Sequence, residues 1–218
     1  MTTQASGYKN ILCVGAHPDD VELGCGGAIA RHIDRGDNVY ILIMTRGQHG
    51  HHTFENQDEC YDSLLSLGLK KENIIYGDFI DARIPWDDVS VSFVENVLRD
   101  KEIDTVYTHY YDDRHQDHFN TSKAVSAAAR AHINNRISSI FLYEGPSTLG
   151  SFDPHFYIEL TKDNLDKKID SLSKYKTQVA KGIVNLDRVK SLATVRGIDK
   201  AVGYAEAFSE NHVIWRAE

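Results

Sequence analysis

Short apolar runs alternate with amphipathic segments along most of the chain. The run 10–16 (NILCVGA) is apolar and bounded by polar residues, which is typical of a strand buried on both faces. Residues 21–35 follow with apolar side chains at helical spacing and end before Gly36, a residue that favours helix termination. The same pattern predicts further strands at 39–45, 73–76, 104–109 and 138–143, an edge strand at 156–160, and further helices at 55–67, 87–99, 117–131, 163–180 and 187–202.

Strands that alternate with helices of this length form β-α-β units, whose strands run parallel. The prediction is therefore a single α/β domain over residues 1–218, three-layered and Rossmann-like, with a mainly parallel sheet and helices on both faces. No repeat or Pro/Gly/Ser-rich linker divides the sequence. Ligands of such sheets bind beyond the carboxyl ends of the strands, which here are the loops 16–24, 45–53 and 109–118.

Composition excludes several classes of protein. The 218 residues are 41% hydrophobic, too apolar for a disordered chain, and no apolar run approaches the roughly 18 residues of a membrane span. The formal charge of −8 argues against nucleic acid as the main partner, and no membrane insertion is expected. Three cysteines without a CxxC pair, and a start unlike a signal peptide, favour a reducing, cytoplasmic location.

Histidines and carboxylates follow two of the predicted strands. His17-Pro-Asp-Asp20 comes after the first strand, and His115-Gln-Asp-His118 comes after the fourth. Imidazole and carboxylate suit a borderline divalent metal, and a catalytic zinc site typically has three protein ligands. His17 and Asp20, three residues apart on a turn, can point at one centre that a histidine of the other loop completes. Each motif alone is more typical of a turn or a helix start than of a site, but the two together favour a site.

Glycines follow the first motif, but not in the pattern of a nucleotide site. A dinucleotide fold needs GxGxxG directly after the first strand, whereas 24–27 (GCGG) comes later and with another spacing. No phosphate-binding P-loop and no GxSxG nucleophile elbow occur. We expect these glycines to let a helix pack closely on the sheet, and Cys25 and Cys60 to be core residues of helices.

The segment 16–27 (AHPDDVELGCGG) resembles the opening signature of the LmbE/PIG-L-like zinc-dependent N-acetylsugar deacetylases. The likeness continues through 45–47, 59–68, 115–118, 143–144 and 196–208, and so spans nearly the whole chain. The resemblance implies that zinc, with another divalent metal as the alternative, is bound by His17, Asp20 and His118. It further implies Asp19 as the general base, His115 as the group that stabilises the tetrahedral oxyanion, and Asp117 as the residue that orients His115.

Four residues are candidate substrate contacts. Asp81 stands where family members often have a substrate-binding acid. Arg46 would meet an anionic part of the substrate or form a salt bridge, and Tyr111 would stack on a sugar or pack beneath its loop. Glu144 begins a turn-rich segment expected at the pocket rim, whereas Arg196 and Glu206 would form an ion pair or close the site from a neighbouring subunit.

Two further features lie in the loop 45–53 and in the helix predicted after it. The segment 49–52, rich in histidine, would be a mobile loop or a second metal site. Asn56 stands where the family often has an arginine, which leaves that substrate contact in question.

The resemblance and the chemistry of the residues imply a zinc-dependent amide hydrolase that removes acetyl from an N-acetylated amino-sugar conjugate. Its partner would be that small molecule, and the family suggests a homo-oligomer, a trimer or hexamer. Two alternatives stay open: an amidase acting on another sugar-linked amide, such as a thiol-sugar conjugate, and a metal-dependent sugar-binding module without turnover.

Overall fold

The structure is a computed structural model that describes residues 8–47, 53–133 and 136–214, with the backbone alone for 53–56. The strands are β1 (Asn10–Gly15), β2 (Asn38–Thr45), β3 (Ile74–Phe79), β4 (Thr105–His109), β5 (Ser139–Tyr143), β6 (Phe156–Leu160) and β7 (Tyr204–Val213). The helices are α1 (Asp20–Arg35), α2 (Thr53–Ser66), α3 (Asp88–Asp100), α4 (Gln116–Ala128), α5 (Lys162–Ser173), α6 (Lys176–Ala180) and α7 (Leu186–Ile198). Among the described helices, none combines the length and apolar character needed to cross a lipid bilayer.

The seven strands form one sheet in the order β3-β2-β1-β4-β5-β7-β6. The pairs from β3 to β5 are parallel, and β7 runs antiparallel to both of its neighbours. The predicted mainly parallel α/β fold is confirmed, as is the edge position of β6. β7 itself is absent from the predictions, which end with a helix reaching 202, whereas α7 stops at Ile198.

Helices cover both faces of the sheet, which explains the continuous apolar runs of the central strands. In β1, Ile11 and Cys13 face a core built with α1, α2, α5 and α7, while Leu12 and Val14 face a core built with α3 and α4. Alternate side chains of a strand point to opposite faces, so a strand between two helical layers must be apolar throughout. The predicted core positions of Cys25 and Cys60 are confirmed, since both are buried in the first of these cores.

Helix α1 packs against the sheet through its glycines, as expected. A Cβ atom on Gly24 would overlap the ring of Tyr143, and one on Gly27 would overlap Leu160. The helix is kinked between these two glycines, where Cys25 leaves the helical region with φ −144° and ψ 23°. The first turns of α1, which carry Asp20, are therefore a short segment set at its own angle to the rest of the helix.

A buried carboxylate accepts hydrogen bonds from backbone N–H groups of α1 next to the kink. Glu206 of β7 accepts the N–H groups of Gly27 at 2.9 Å and Ala28 at 2.7 Å, and pairs with Lys168 of α5 at 2.6 Å. Lys168 also donates to the carbonyl of Leu23, on the other side of the kink, at 2.8 Å. Both charged side chains are buried. The two segments of α1 are thus tied together by an ion pair from two distant elements.

Candidate metal centre and active site

The loops after β1 and β4 meet at one edge of the sheet, because these two strands pair directly. A cavity of about 470 Å³ lies at this edge. Six of the predicted site residues line it: His17, Asp19, Asp20, Asp81, His115 and His118. The segment 49–52, a candidate for a second metal site, lies outside the described residues, as does the side chain of Asn56.

Asp20, the first residue of α1, lies between His17 and His118. The Nδ1 atom of His17 is 3.5 Å from Oδ2 of Asp20, and Nε2 of His118 is 3.4 Å from Oδ1. The backbone N–H of His17 donates to the same carboxylate at 2.7 Å, which holds the turn in place. The structure thus brings the three predicted metal ligands together from the β1–α1 loop and the first turn of α4.

Further donor atoms crowd around these ligands. Three sets of ligand atoms each lie within 4.8 Å of one another: His17, His115 and His118; Asp20, His109 and His118; and His17, Asp81 and Asp117. Each of the three predicted ligands belongs to at least one of these sets, and His17 and His118 belong to two each, although none of the three sets contains all three. This density of imidazole and carboxylate groups is suited to a divalent cation.

His118 is held by a second carboxylate that the sequence analysis did not single out. Its Nδ1 atom lies 3.3 Å from Oδ1 of Asp113, whose oxygens also accept hydrogen bonds from the hydroxyls of Ser147 and Thr148. Burial alone would lower the pKa of His118, but the charge of Asp20 and the hydrogen bond to Asp113 raise that pKa to about 9. A carboxylate behind a histidine fixes the ring and leaves the other nitrogen for a metal. Asp113 follows β4 in the quoted loop, but its spacing alone gives no sign of this contact.

His109, the last residue of β4, is the second residue that the predictions missed. It is buried, stacks on His118 with ring centroids 4.1 Å apart, and has Nε2 3.2 Å from Oδ2 of Asp20. The same nitrogen accepts the N–H of Ala16 at 3.1 Å. Burial lowers the pKa of His109 to about 4. Its position at the carboxyl end of a central strand is the one signal that could have identified it.

The Nε2 atom of His17 faces two carboxylates. Asp117 and Asp81 each place an oxygen 3.2 Å from it. Burial would lower the pKa of His17, but hydrogen bonds to Asp117, Asp20 and Asp81 raise it well above its usual value. Asp117, expected to orient His115, therefore contacts His17 with its side chain and is itself fixed by the N–H groups of Ala82 and Ile84.

Asp19 precedes α1 in a backbone conformation that is rare for a residue with a side chain. It has φ 91° and ψ −23°, and its side chain makes no capping hydrogen bond to the helix. Aspartate at this position ordinarily caps the helix, so the carboxylate is turned away from its usual role and lines the cavity instead. Burial and the negative charges of Asp20 and Glu22 raise the pKa of Asp19 well above its usual value.

His115 is the N-cap residue of α4 and has its ring exposed to the cavity. The ring stacks on His118 at 4.5 Å and meets the edge of His17 at 4.7 Å. Its Nδ1 accepts the backbone N–H of Asp117 at 3.2 Å, so the neutral ring carries its proton on Nε2. Burial and the positive charge of His118 lower the pKa of His115.

The other predicted substrate contacts have partners within the protein. Among the described residues that line the cavity, Arg46, Tyr111 and Glu144 are not found. Arg46 forms an ion pair with Asp78, the exposed Tyr111 accepts the hydroxyl of Tyr110 at 3.0 Å, and Glu144 accepts two hydrogen bonds from Arg196. The ion-pair alternative for Arg46 therefore describes its observed contact. Arg196 and Glu206, expected to form an ion pair, pair instead with Glu144 and Lys168.

Comparison with known proteins assigns the chain to a family of enzymes. The family model described as PIG-L: GlcNAc-PI de-N-acetylase matches residues 12–129, more than half of the chain. The chain belongs to this family and is a deacetylase.

Relatives and solved structures agree with the family. The protein is 34% identical to YaiS of Escherichia coli K12, described as an uncharacterized deacetylase, over 81% of this chain and 96% of that protein. It is 24% identical to the diacetylchitobiose deacetylase of Thermococcus kodakarensis over 91% of this chain and 81% of that protein. The crystal structure of the conserved protein TT1542 from Thermus thermophilus matches with a TM-score of 0.82, 26% identity and coverage of 96% of this chain and 97% of that one.

Proposed function

We propose that the protein is a zinc-dependent N-deacetylase that releases acetate from a GlcNAc-type amino-sugar conjugate. The observation that carries the proposal is the position of Asp19, which lines the same cavity as His17, Asp20 and His118 and is not used to cap its helix. A sugar-binding module has no need for an aspartate in a strained backbone conformation beside a metal site. The relatives described as deacetylases support the same reaction.

The donor set fits zinc. His17, Asp20 and His118 offer two imidazoles and one carboxylate, which is a common ligand set of catalytic zinc sites. Bound zinc would polarise the amide carbonyl and lower the pKa of water from about 15.7 to about 7. Asp113 holds His118 from behind, and Asp81 and Asp117 hold His17, so both imidazoles are oriented before the metal binds.

Two side chains would assist the reaction, one by proton transfer and the other by a hydrogen bond to the oxyanion. Asp19 would take a proton from the attacking water and give it to the nitrogen of the departing amine, a role typically worth about 10²–10⁴-fold in rate. His115 would donate from Nε2 to the oxyanion that forms at the acyl carbon. Among the predicted substrate contacts, Asp81 has the best position, since it lines the cavity. Arg46, Tyr111 and Glu144 could contact only a larger conjugate that extends beyond the cavity.

Three further expectations accompany this proposal. The three cysteines (Cys13, Cys25 and Cys60) are free and buried, which suits a reducing, cytoplasmic location. The partner is the small amino-sugar conjugate, and a trimer or hexamer stays a prediction from the family.

The test is acetate release from a panel of N-acetylglucosamine conjugates: free, nucleotide-linked, lipid-linked, inositol-linked and malate-linked. Release that requires zinc and stops with a chelator supports the proposal. Asp19→Asn should retain zinc and lose about a hundredfold or more in turnover. Asp153→Asn, an exposed aspartate outside the cavity, is the matched control and should match the wild type. Binding of a conjugate without acetate release would favour the sugar-binding module, and release of another acid would favour the alternative amidase.

A further inference from the structure

Part of the cavity lining is apolar. Leu23, Pro146, Tyr175 and Ile183 line the same space as the candidate metal ligands. They come from α1, the loop after β5, and the region around α6. We call these four residues the apolar wall.

Three residues of the apolar wall also line a second, smaller hollow. Leu23, Pro146 and Ile183 border a space of about 30 Å³, whose other lining residues include Glu144, Asn185 and Arg188 as well as Val189 and Leu192 of α7. This hollow is about the size of one water molecule, so the room for a ligand lies in the cavity beside the candidate metal ligands.

The wall is held in position by the backbone and by buried neighbours. Ile183 is 55% exposed, although the next residue, Val184, is 1% exposed and lies in the core. The N–H of Ile183 donates to the carbonyl of Gln178 at 3.0 Å, which closes the turn after α6. The hydroxyl of Tyr175 donates to buried Glu22 at 2.8 Å, so its ring is fixed as well. Ile183 is therefore held on an ordered turn with its side chain exposed in the lining of the cavity.

The charges beside the cavity disfavour an anionic substituent. Asp19, Asp20 and Asp81 line it, and the whole chain has a formal charge of −8. Among the described residues that line the cavity, no lysine or arginine occurs, and the imidazoles of His17 and His118 are already paired with carboxylates. A diphosphate or dicarboxylate next to the sugar would therefore find no lysine or arginine to pair with, whereas an apolar group would be desolvated favourably.

We propose that this wall, formed by Leu23, Pro146, Tyr175 and Ile183, is the aglycone subsite, and that the substrate is an amino sugar with an apolar aglycone. The inference rests on the proposed function and names its substrate class. Each methylene buried against the wall increases affinity by up to about fourfold, from the usual free energy of burying such a group. The effect should appear in KM, because the aglycone is remote from the reacting amide.

The experiment compares methyl, butyl and hexyl β-glycosides of N-acetylglucosamine with UDP-N-acetylglucosamine, using the zinc-loaded full chain and measuring kcat and KM separately. KM should fall stepwise with alkyl length, by about tenfold or more from methyl to hexyl, and be highest for the nucleotide conjugate. Ile183→Ser should reduce this dependence. Ile198→Ser is the matched control, an isoleucine 69% exposed at the end of α7, and should keep the wild-type dependence.

Calorimetric titration with the corresponding alkyl glucosaminides separates the subsite from the reaction. Equal KM and equal binding constants for all alkyl lengths, or a dependence unchanged by Ile183→Ser, would refute the subsite. Binding that strengthens with alkyl length without acetate release from any glycoside would retain the subsite and refute the deacetylation of these sugars.

Discussion

Replacing Glu206 by glutamine should weaken the whole fold, because this carboxylate joins three elements. It accepts the N–H groups of Gly27 and Ala28 at the kink of α1 and pairs with Lys168 at 2.6 Å. Glutamine has nearly the same shape but no charge and only one oxygen. It would leave the Lys168 ammonium buried without a counter-charge and one helix N–H without an acceptor.

The cost follows from what is left unpaired. Breaking a buried ion pair by removing one partner typically destabilises by about 3–5 kcal/mol, and an unsatisfied buried N–H costs about 1–3 kcal/mol. These terms overlap, so we expect the free energy of unfolding to fall by about 3–5 kcal/mol in total. Adding Lys168→Met removes the unpaired charge, and the double variant should regain at least about half of the loss.

Urea unfolding of the metal-free protein at pH 7 measures this effect, with the slope against urea checked for constancy. Asp170→Asn is the control: it removes the exposed ion pair with Lys174 on α5 and should cost no more than about 0.5 kcal/mol. A loss below about 1 kcal/mol for Glu206→Gln would refute the reasoning, as would a double variant no more stable than the single one.

Three further substitutions test the site and its support. Asp113→Asn should weaken zinc binding about 10–100-fold in a chelator competition, because it removes the charged partner behind His118; unchanged affinity would contradict that role. His118→Ala should lose the metal, and a variant that retains one zinc per chain by elemental analysis would overturn the ligand assignment. Gly24→Ala should destabilise by about 1–3 kcal/mol in urea, because its Cβ meets Tyr143, whereas Gly150→Ala, with open space around it, should be nearly neutral.

The sequence pattern predicts the parallel part of the sheet well. The runs that form β1, β2, β4 and β5 are apolar throughout because helices cover both faces of the sheet. Their sequences alone therefore indicate buried strands. β7 escapes prediction since it carries Glu206 among its buried residues, which interrupts the apolar pattern. One domain over 1–218 stays a prediction, supported by a sheet that joins β1 to β7.

The break between α5 and α6 has a cause that only the tertiary structure shows. The apolar spacing predicts one helix over 163–180, but Tyr175 leaves the helical region with ψ 62° and places its hydroxyl on Glu22. Nothing in the spacing of 163–180 indicates a partner that lies more than a hundred residues earlier. Long-range hydrogen bonds of this kind override local propensity.

The site residues also fall into two groups, those that the sequence pattern can place and those that it cannot. Loops at the ends of paired strands are adjacent by topology, so His17, Asp20 and His118 can be grouped from sequence. The groups that hold them are different in kind: Asp113 contacts His118 from the loop before α4, and Lys168 contacts the Asp20 segment from another helix. A residue's type and position reveal what it can do, but not which partner the fold gives it.

The contacts of Glu206, which the sequence pattern does not indicate, are relevant to the candidate metal site. The short segment of α1 that carries Asp20 is separated from the rest of the helix by the kink at Cys25, so the helix alone does not fix its direction. Lys168 holds the segment before the kink through Leu23, and Glu206 holds the segment after it through Gly27. The ion pair between them therefore links the two segments of α1, and we expect it to hold Asp20 towards the histidines. A change in β7, remote from the cavity in sequence, should alter metal affinity as well as stability.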